Sequence, residues 1–150
     1  MTIYKTIEDL GITIPAMAAP SAAFVPFVFA GNLLHLSGHI AKRDGKPWVA
    51  QLGRDMTTSE GKLAARSVAI DLLGTLEAAT QDLGRIKRIV KLLVLVNSAS
   101  DFTEPHVVAN GASELLIQLF GDRGPHARSA FGAAQLPFGT CVEIEMIAEV

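Results

Sequence analysis

Residues 57–96 read TTSEGKLAARSVAIDLLGTLEAATQDLGRIKRIVKLLVLV, and this stretch decides the fold. Thr57 and Glu60 have the spacing of a capping box, in which each side chain accepts a hydrogen bond from the other residue's backbone N–H. The apolar residues that follow recur at intervals of four and three, which predicts one buried helix face: Ala65, Ala69, Leu72, Leu76, Ala79 and Leu83. Gly84 is expected to end this helix. Residues 89–96 are almost continuously apolar and rich in β-branched side chains, which predicts a strand buried on both faces.

The residues on the carboxyl side repeat this order of helix and then strand. A second helix is expected to begin within residues 101–105, where Pro105 is tolerated in the first turn, and to end at Gly121. Its apolar stripe has the same spacing of four and three: Val108, Ala112, Leu115 and Leu119. Residues 129–136 and 141–150 then predict a closing hairpin around a Pro-Phe-Gly-Thr turn.

The residues on the amino side predict a first hairpin and two less regular segments. Residues 24–30 and 33–40 are strand-like and are joined by Gly31-Asn32, a dipeptide that accepts the positive φ of a tight hairpin turn. Residues 42–57 are expected to form a long loop that contains a turn. Residues 1–23 are expected to be an irregular N-terminal segment, because Gly, Pro and Ala interrupt any period.

The resulting order, β-β-α-β-α-β-β, predicts an α+β fold with both helices on one face of a mixed sheet. Residues 1–150 are expected to form a single domain, because a division into two would leave each half with little core. Two helices cannot cover the second face of the sheet, so self-association is its simplest cover. The composition agrees, since 49% of the residues are apolar and only 19% are charged, which is little charge for the surface of a small protein.

Composition and charge exclude several classes of protein. The high apolar content excludes a disordered chain, and a net charge of −2 gives no basic footprint for DNA. Residues 11–41 carry no Lys, Arg, Asp or Glu, but prolines and glycines break them too often for a membrane span. Glu8 and Asp9 precede this stretch, which does not fit a signal peptide. Without a membrane span or a signal peptide pattern, we expect a soluble cytoplasmic protein. The single cysteine, Cys141, agrees, since it excludes a disulfide framework. Cys141 itself is expected to be a buried small hydrophobe.

Two charged side chains stand out among apolar neighbours. Arg128 precedes an apolar strand and is flanked by small residues, so a ligand could reach its guanidinium, which binds carboxylates in a bidentate manner. Glu143 alternates with Val142 and Ile144 on a strand, and a partly buried carboxylate there could act as a general base on water. Glu145 shares its face, so desolvation would raise at least one of the two pKa values. The alternatives are a surface arginine and a solvent-facing glutamate.

The predicted C-terminal hairpin keeps these two charges apart. Glu143 lies roughly opposite Gly132, and Arg128 is then about 13 Å further along its strand. The two charges would not neutralise each other within the hairpin. Both would stay available to a ligand, in a site that two chains could share.

Smaller local features give further candidates. Ser37-Gly38 places a hydroxyl beside an unshielded backbone at the end of a strand, where the alternative is an ordinary turn. Asn110-Gly111 is a poor choice for a helix interior, which indicates a functional or a close-packing position. His35 and His39 are four residues apart and would share one face of a strand, either as metal ligands or as ordinary polar positions.

These residues, in this order, resemble the Rid family of reactive-intermediate (enamine/imine) deaminases, many of which carry the older label endoribonuclease L-PSP. The resemblance covers roughly residues 24–150, and its segments are Leu36-Ser37-Gly38-His39-Ile40, the helix around Asn110, His126-Ala127-Arg128-Ser129, Leu136-Pro137 and Val142-Glu143-Ile144-Glu145. It implies a chorismate-mutase-like α+β fold and a homotrimer with three clefts between subunits. It implies no metal and no organic cofactor.

The resemblance also implies roles for individual residues. The arginine that matches Arg128 binds the substrate carboxylate. The glutamate that matches Glu143 positions or activates the water that attacks the imine carbon, which releases ammonia. Ser37 and Asn110 match residues that line the cleft.

Two positions depart from the family's deaminase pattern. Ala130 stands where that pattern has a cysteine, and Phe27 is the nearest match to a tyrosine near the first strand. The cleft thereby loses a thiol and a hydroxyl, which is typical of a divergent branch of the family. His35, His39 and His126 are the polar side chains that could replace them.

Three functions are open at this point. The first is hydrolytic deamination of small 2-imino or enamine acids. The second is binding of a small carboxylate-bearing metabolite by a non-catalytic sensor or carrier, which the missing cysteine and tyrosine motivate. The third is endoribonuclease activity, which only the older family label implies, and the net charge of −2 and the few aromatic residues argue against RNA.

Overall fold

The computed structural model describes residues 2–20 and 22–150. Within these residues, one five-stranded sheet carries two long helices, and a short helix and a small hairpin are added to it. The helices are α1 (Ile3–Asp9), α2 (Thr58–Thr80) and α3 (Pro105–Phe120). The strands are β1 (Phe27–Ala30), β2 (Leu33–Ile40), β3 (Lys42–Arg43), β4 (Lys46–Pro47), β5 (Arg88–Asn97), β6 (Ala127–Ala133) and β7 (Val142–Glu149). The predicted α+β order is confirmed, with α1 and the β3–β4 hairpin as additions.

The sheet has the strand order β1-β2-β7-β5-β6. It is mixed, as predicted, because β6 runs parallel to β5 and the other neighbours are antiparallel. The predicted C-terminal hairpin is wrong, since β5 lies between β6 and β7 and Leu95 is opposite both Phe131 and Glu143. Glu143 therefore does not pair with Gly132. The chain from β5 through α3 to β6 is a parallel crossover, which leaves the opposite edge of β5 for the antiparallel β7.

The core lies between α2, α3 and one face of the sheet. Side chains of β7 alternate between the two faces, and those that face the helices are buried: Val142, Ile144, Met146 and Ala148. The strand predicted to be buried on both faces, β5, is buried only on the helix side, and Leu93 and Leu95 on its other face are half-buried. Val28 and Phe131, on the same open face, are 52% and 50% exposed. Part of the apolar excess of the composition therefore lies on a sheet face that this single chain leaves uncovered within the described residues.

Local sequence signals fix the ends of both long helices. The capping box of Thr57 and Glu60 forms at the start of α2. This helix ends before the predicted stop at Gly84, where Gln81 takes a left-handed φ of 66°. The second long helix, α3, begins at its proline and ends before Gly121, as predicted.

Part of the N-terminal segment is regular, which corrects the expectation that residues 1–23 are irregular. Thr2 caps α1, and its hydroxyl accepts a hydrogen bond from the backbone N–H of Lys5 at 3.3 Å. Ile3 and Ile7 are buried in the core, and their spacing of four is the mark of one buried helix face. Positions 1 and 21 lie outside the described residues.

The segments around the first hairpin also differ from the prediction. β1 begins at Phe27, three residues later than expected, and Pro26 precedes it. Residues 42–57 are not only a loop, because β3 and β4 pair there. Asp44 and Gly45 close this hairpin with φ values of 54° and 75°, and two positive φ values are what a tight two-residue turn requires.

The helices of the described part of the chain can also be compared with the thickness of a membrane. None of the helices in residues 2–20 and 22–150 is both long and apolar enough to cross a bilayer.

Candidate functional site

Arg128 lies on β6, and its guanidinium is held against α3. Its Nη1 donates to Oδ1 of Asn110 at 2.8 Å and to Oγ of Ser113 at 3.1 Å, and its Nη2 donates to the backbone carbonyl of His106 at 3.1 Å. The sheet register sets this direction, because Arg128 is opposite the buried Leu92 and shares its helix-side face. The fold thus joins two residues that the sequence singles out, Arg128 and Asn110.

Ser113 and His126 extend this network. Nδ1 of His126 lies 2.7 Å from the carbonyl of Gly124, which can only accept, so Nδ1 carries the proton and Nε2 is an acceptor. The Ser113 hydroxyl lies 2.9 Å from Nε2 and donates to it, while its oxygen accepts from Arg128. Burial lowers the pKa of His126, the bond to Gly124 opposes this, and the charge of Arg128 lowers the pKa further. The network therefore holds a neutral imidazole behind the guanidinium.

Gly111 explains why a glycine follows Asn110 inside a helix. A Cβ atom at this position would collide with the backbone carbonyl of Lys62 on α2. The two long helices therefore approach each other closely at this point. The glycine confirms the close-packing alternative, and the asparagine beside it accepts a hydrogen bond from Arg128.

Glu143 lies on β7, at the wall of a cavity of about 760 Å³. A Cβ atom at Gly38 would lie 2.9 Å from Oε2 of Glu143, so the glycine leaves room for this carboxyl against β2. Burial raises the pKa of Glu143, and the charge of Glu145 raises it further, while His39 acts in the opposite direction. The predicted effect of two like charges on one strand face is thereby confirmed.

Ser37 lines the same cavity and connects it to the segment before β1. Its hydroxyl donates to the carbonyl of Val25 at 2.6 Å, and its N–H donates to the carbonyl of Pro26 at 3.0 Å. The regular pairing of β2 with β7 is interrupted between Leu36 and His39 by a bulge. The bulge and these two bonds place Ser37 and Glu143 on one cavity wall.

The bulge also determines where His39 lies. Its Nδ1 is 3.2 Å from Oδ2 of Asp71 and its Nε2 is 3.2 Å from Oγ1 of Thr75, both on α2. His35, before the bulge, is exposed on the open face of the sheet. The expectation that these two histidines share a face is wrong, because a bulge shifts the alternation by one residue.

Asp71 is the acidic partner of His39 in this corner of the cavity. Burial raises the pKa of Asp71, but the hydrogen bond from His39 and the charge of Lys42, 3.7 Å away, outweigh it. The pKa of this carboxyl therefore lies below its ordinary value. Asp71 is consequently an anion at neutral pH, with a cation and a histidine beside it.

The residues singled out by the sequence fall into two separate groups. Arg128 and Asn110 belong to the β6–α3 network, and Ser37 and Glu143 belong to the cavity. Arg128 and Glu143 lie on opposite sides of β5, against residues three positions apart, which puts their α-carbons about 14 Å apart. Their side chains also lie on opposite faces of the sheet. One small ligand cannot contact both within a single chain.

The two departures from the deaminase pattern lie in different places. Ala130 is half-buried on the same face of β6 as Arg128, two residues further along. Phe27 packs against the core, with its ring edge-on to Phe29 at a centroid distance of 5.8 Å. Phe27 is not among the described residues that line the cavity.

Other possible metal ligands and nucleophiles do not form a second site. Cys141 is buried, as predicted, and burial raises the pKa of its thiol to about 11. The thiol is therefore protonated and unreactive at neutral pH. In the described ranges, no three His, Cys, Asp or Glu side chains come close enough to hold a metal ion.

Sequence reasoning misses four residues of these two groups. Ser113 follows Asn110 by three positions, and this helical spacing could have identified it as a second partner of Arg128. Asp71 interrupts the apolar run of α2, which is a usable signal for a buried charge. Phe24 and Phe138 line the cavity, but the sequence places one in a strand and the other in a turn, and neither assignment predicts an exposed ring.

Comparison with known protein families gives a match that includes both groups of residues. The family model described as "YjgF/chorismate_mutase-like, putative endoribonuclease" matches residues 6–150. The chain belongs to the YjgF/chorismate-mutase-like family. The match includes both residue groups, and it confirms the resemblance and the chorismate-mutase-like fold that the sequence indicates.

Three known proteins are similar to this chain over 99% or more of its length. "Protein TCP17" of Trypanosoma cruzi is 47% identical over 150 residues, with 99% of this chain and 94% of that protein covered. The structure of protein Atu1372 from Agrobacterium tumefaciens, described as of unknown function, is 39% identical with a TM-score of 0.91, and 99% and 93% of the two chains are covered. A "putative endoribonuclease" structure from Shewanella oneidensis is 30% identical with a TM-score of 0.96, over 100% of both chains. These names share no single activity.

Proposed function

We propose that this YjgF-family protein is a hydrolytic deaminase of small 2-imino or enamine acids, which acts at clefts between the subunits of a homotrimer. An enamine first takes up a proton on carbon to become the imine. Water then adds to the imine carbon, and the C–N bond breaks. One imine and one water give one 2-keto acid and one ammonia, so the reaction needs no oxidant or reductant.

The environment of Glu143 carries this proposal. Burial and Glu145 raise its pKa above the ordinary value of a glutamate, which makes the carboxylate a stronger base toward water. Within residues 2–20 and 22–150, Glu143 forms no ion pair that would hold it as a fixed charge. A water beside it would lose a proton to the carboxylate as its oxygen attacks the imine carbon. The carboxyl would then return this proton to the leaving nitrogen.

Arg128 would hold the substrate carboxylate. A guanidinium has five N–H donors, and the three bonds to Asn110, Ser113 and His106 leave Nε–H and one Nη2–H without a partner among the described residues. Two N–H groups on one planar cation suit a carboxylate. Because α3 already fixes the guanidinium, little side-chain freedom is lost when a ligand binds.

A second copy of the chain would complete the site. In one chain, Arg128 and Glu143 lie on opposite faces of the sheet and about 14 Å apart. The open face carries the half-buried Leu93 and Leu95 and the exposed Phe131, which a neighbouring subunit would cover. We therefore place each cleft between two subunits, with Arg128 from one and Glu143 from the other.

Replacement of Arg128 by alanine tests the assignment. Arg128→Ala is expected to lower ammonia release from freshly generated imino acids by about 100-fold or more, the value of a charged bidentate hydrogen bond. The oligomeric state should stay unchanged. Arg54→Ala, which removes another exposed arginine, is the control and should keep full activity. Unchanged ammonia release by Arg128→Ala would refute the proposal.

Binding of a small carboxylate without catalysis is the second candidate. It is favoured by Ala130 and Phe27, which supply neither a thiol nor a hydroxyl, while the network around Arg128 is intact. In this case 2-keto acids would raise the Tm of the protein, and no imine would be hydrolysed. The Tm shift would be lost in Arg128→Ala.

Endoribonuclease activity is the third candidate and the weakest. It enters through the description of the family model and of the Shewanella oneidensis structure. The cavity walls carry three carboxyl groups, those of Asp71, Glu143 and Glu145, against one lysine, Lys42, so acidic groups are in excess. Such walls repel a phosphate backbone, which RNA-binding sites contact with cations.

A further inference from the structure

Phe138 is an exposed aromatic residue in an unfavourable backbone conformation at the cavity. Its φ of 59° and ψ of 12° lie in the left-handed region, which bulky side chains rarely adopt. Its side chain is 75% exposed and lines the cavity. Burial in the core of this chain therefore does not account for the ring.

The turn between β6 and β7 fixes this conformation. Gly139 also has a positive φ, 73°, and its N–H donates to the carbonyl of Leu136 at 2.9 Å. The N–H of Thr140 donates to the carbonyl of Pro137 at 3.1 Å, and its buried hydroxyl donates to the carbonyl of Ala41 at 2.9 Å. The surrounding bonds thus hold the backbone of Phe138 in this conformation. Backbone strain of this kind is concentrated at functional sites, where the surroundings over-determine it.

The cavity that Phe138 and Glu143 both line has further apolar walls. Phe24, 52% exposed, lines it together with Pro26 and Pro137. A volume of about 760 Å³ is typical of sites for ligands much larger than a three-carbon acid. The reacting carbon beside Glu143 would leave most of this volume to the rest of the substrate.

We propose that Phe138 and Phe24 form a subsite for the substrate side chain, so that the protein acts on 2-imino acids with large apolar, above all aromatic, side chains. This inference rests on the proposed function and narrows its substrate class. Phenylalanine rings accept a further aromatic ring edge-on or offset. The same cavity is lined by three carboxyl groups and one lysine, Lys42, and this excess of acidic groups disfavours an acidic side chain.

Competing imines test the subsite. The imines of phenylalanine and alanine, freshly generated by an amino-acid oxidase, are expected to differ in kcat/KM by about tenfold or more in favour of phenylalanine. Phe138→Gly should bring this ratio close to one. Its Tm should stay the same or rise, because glycine adopts a positive φ without strain. Phe138→Trp should keep the preference, and Leu63→Ala, an exposed apolar residue on α2 outside this cavity, should leave the ratio unchanged.

Binding of the keto acids separates the subsite from the catalytic proposal. Phenylpyruvate is expected to bind about tenfold more tightly than pyruvate, and Phe138→Gly should remove the difference. If this difference is found but no imine is hydrolysed, the deaminase proposal fails and the subsite is supported. A ratio that Phe138→Gly leaves unchanged would overturn the subsite. Dissociation of the assembly by Phe138→Gly would overturn it as well, because Phe138 would then be an interface residue.

Discussion

Glu143 acquires its properties from residues on two strands, its own strand β7 and the neighbouring β2. The alternation along β7 places Glu145 on its face, and this relation is visible in the sequence. The glycine at position 38 admits the carboxyl to the wall of β2, and this contact depends on a pairing across 105 residues of chain. The sequence was therefore sufficient to predict a raised pKa for Glu143 or Glu145, but not that the Glu143 carboxyl lines a cavity.

Glu143→Gln is expected to stabilise the protein more at pH 8 than at pH 4. The pKa of this carboxyl is raised above 4.5, the value of an unperturbed glutamate, so between pH 4.5 and the folded-state pKa the folded protein binds more protons than the unfolded chain. Stability therefore falls as the pH rises through the folded-state pKa, and glutamine removes this loss. Thermal unfolding of both proteins at the two pH values measures the effect.

Asp101→Asn, which removes an exposed carboxyl, provides the control for the loss of one charge. Its Tm should follow that of the unmodified protein at both pH values. A stabilisation by Glu143→Gln that is larger at pH 4 would contradict the environment described for Glu143.

At the scale of elements, local sequence signals were sufficient to predict those features whose interacting residues are close together in the sequence. The capping box of α2, the proline at the start of α3 and the stripes of both helices were all predictable. The neighbour of β7 was not, because the alternation of β6 and β7 is the same whether they pair or flank β5. The bulge at Gly38 had one usable signal, since a glycine inside a strand often marks a bulge.

Gly111→Ala is expected to destabilise the protein by about 1–3 kcal/mol, because a Cβ atom would collide with the Lys62 carbonyl and separate α3 from α2. In a helix with free space at this position, glycine to alanine stabilises by about 1 kcal/mol. The sign of the change in the free energy of unfolding therefore distinguishes a close helix contact from free space. Denaturant unfolding measures it. A gain in the free energy of unfolding would contradict the close helix contact.

At the scale of the whole molecule, the low charge of the sequence and the open sheet face would both be explained by the proposed self-association. Two helices cover one face of the sheet, and the other carries Val28, Leu93, Leu95 and Phe131. The sequence predicts this open face because two helices cannot cover both sides. It could not show that Arg128 and Glu143 lie on opposite faces, since that depends on β5 lying between them. Separate faces are what a site shared between copies requires.

Co-expression of Arg128→Ala chains with Glu143→Gln chains tests this shared site most directly. Each variant alone is expected to be inactive. In the proposed trimer, each site would take Arg128 from one chain and Glu143 from its neighbour, so random assembly would make about one quarter of the sites intact. We predict that about one quarter of the ammonia release of the unmodified protein returns in the mixed assemblies. Mixed assemblies that form but remain inactive would contradict a site built from two chains.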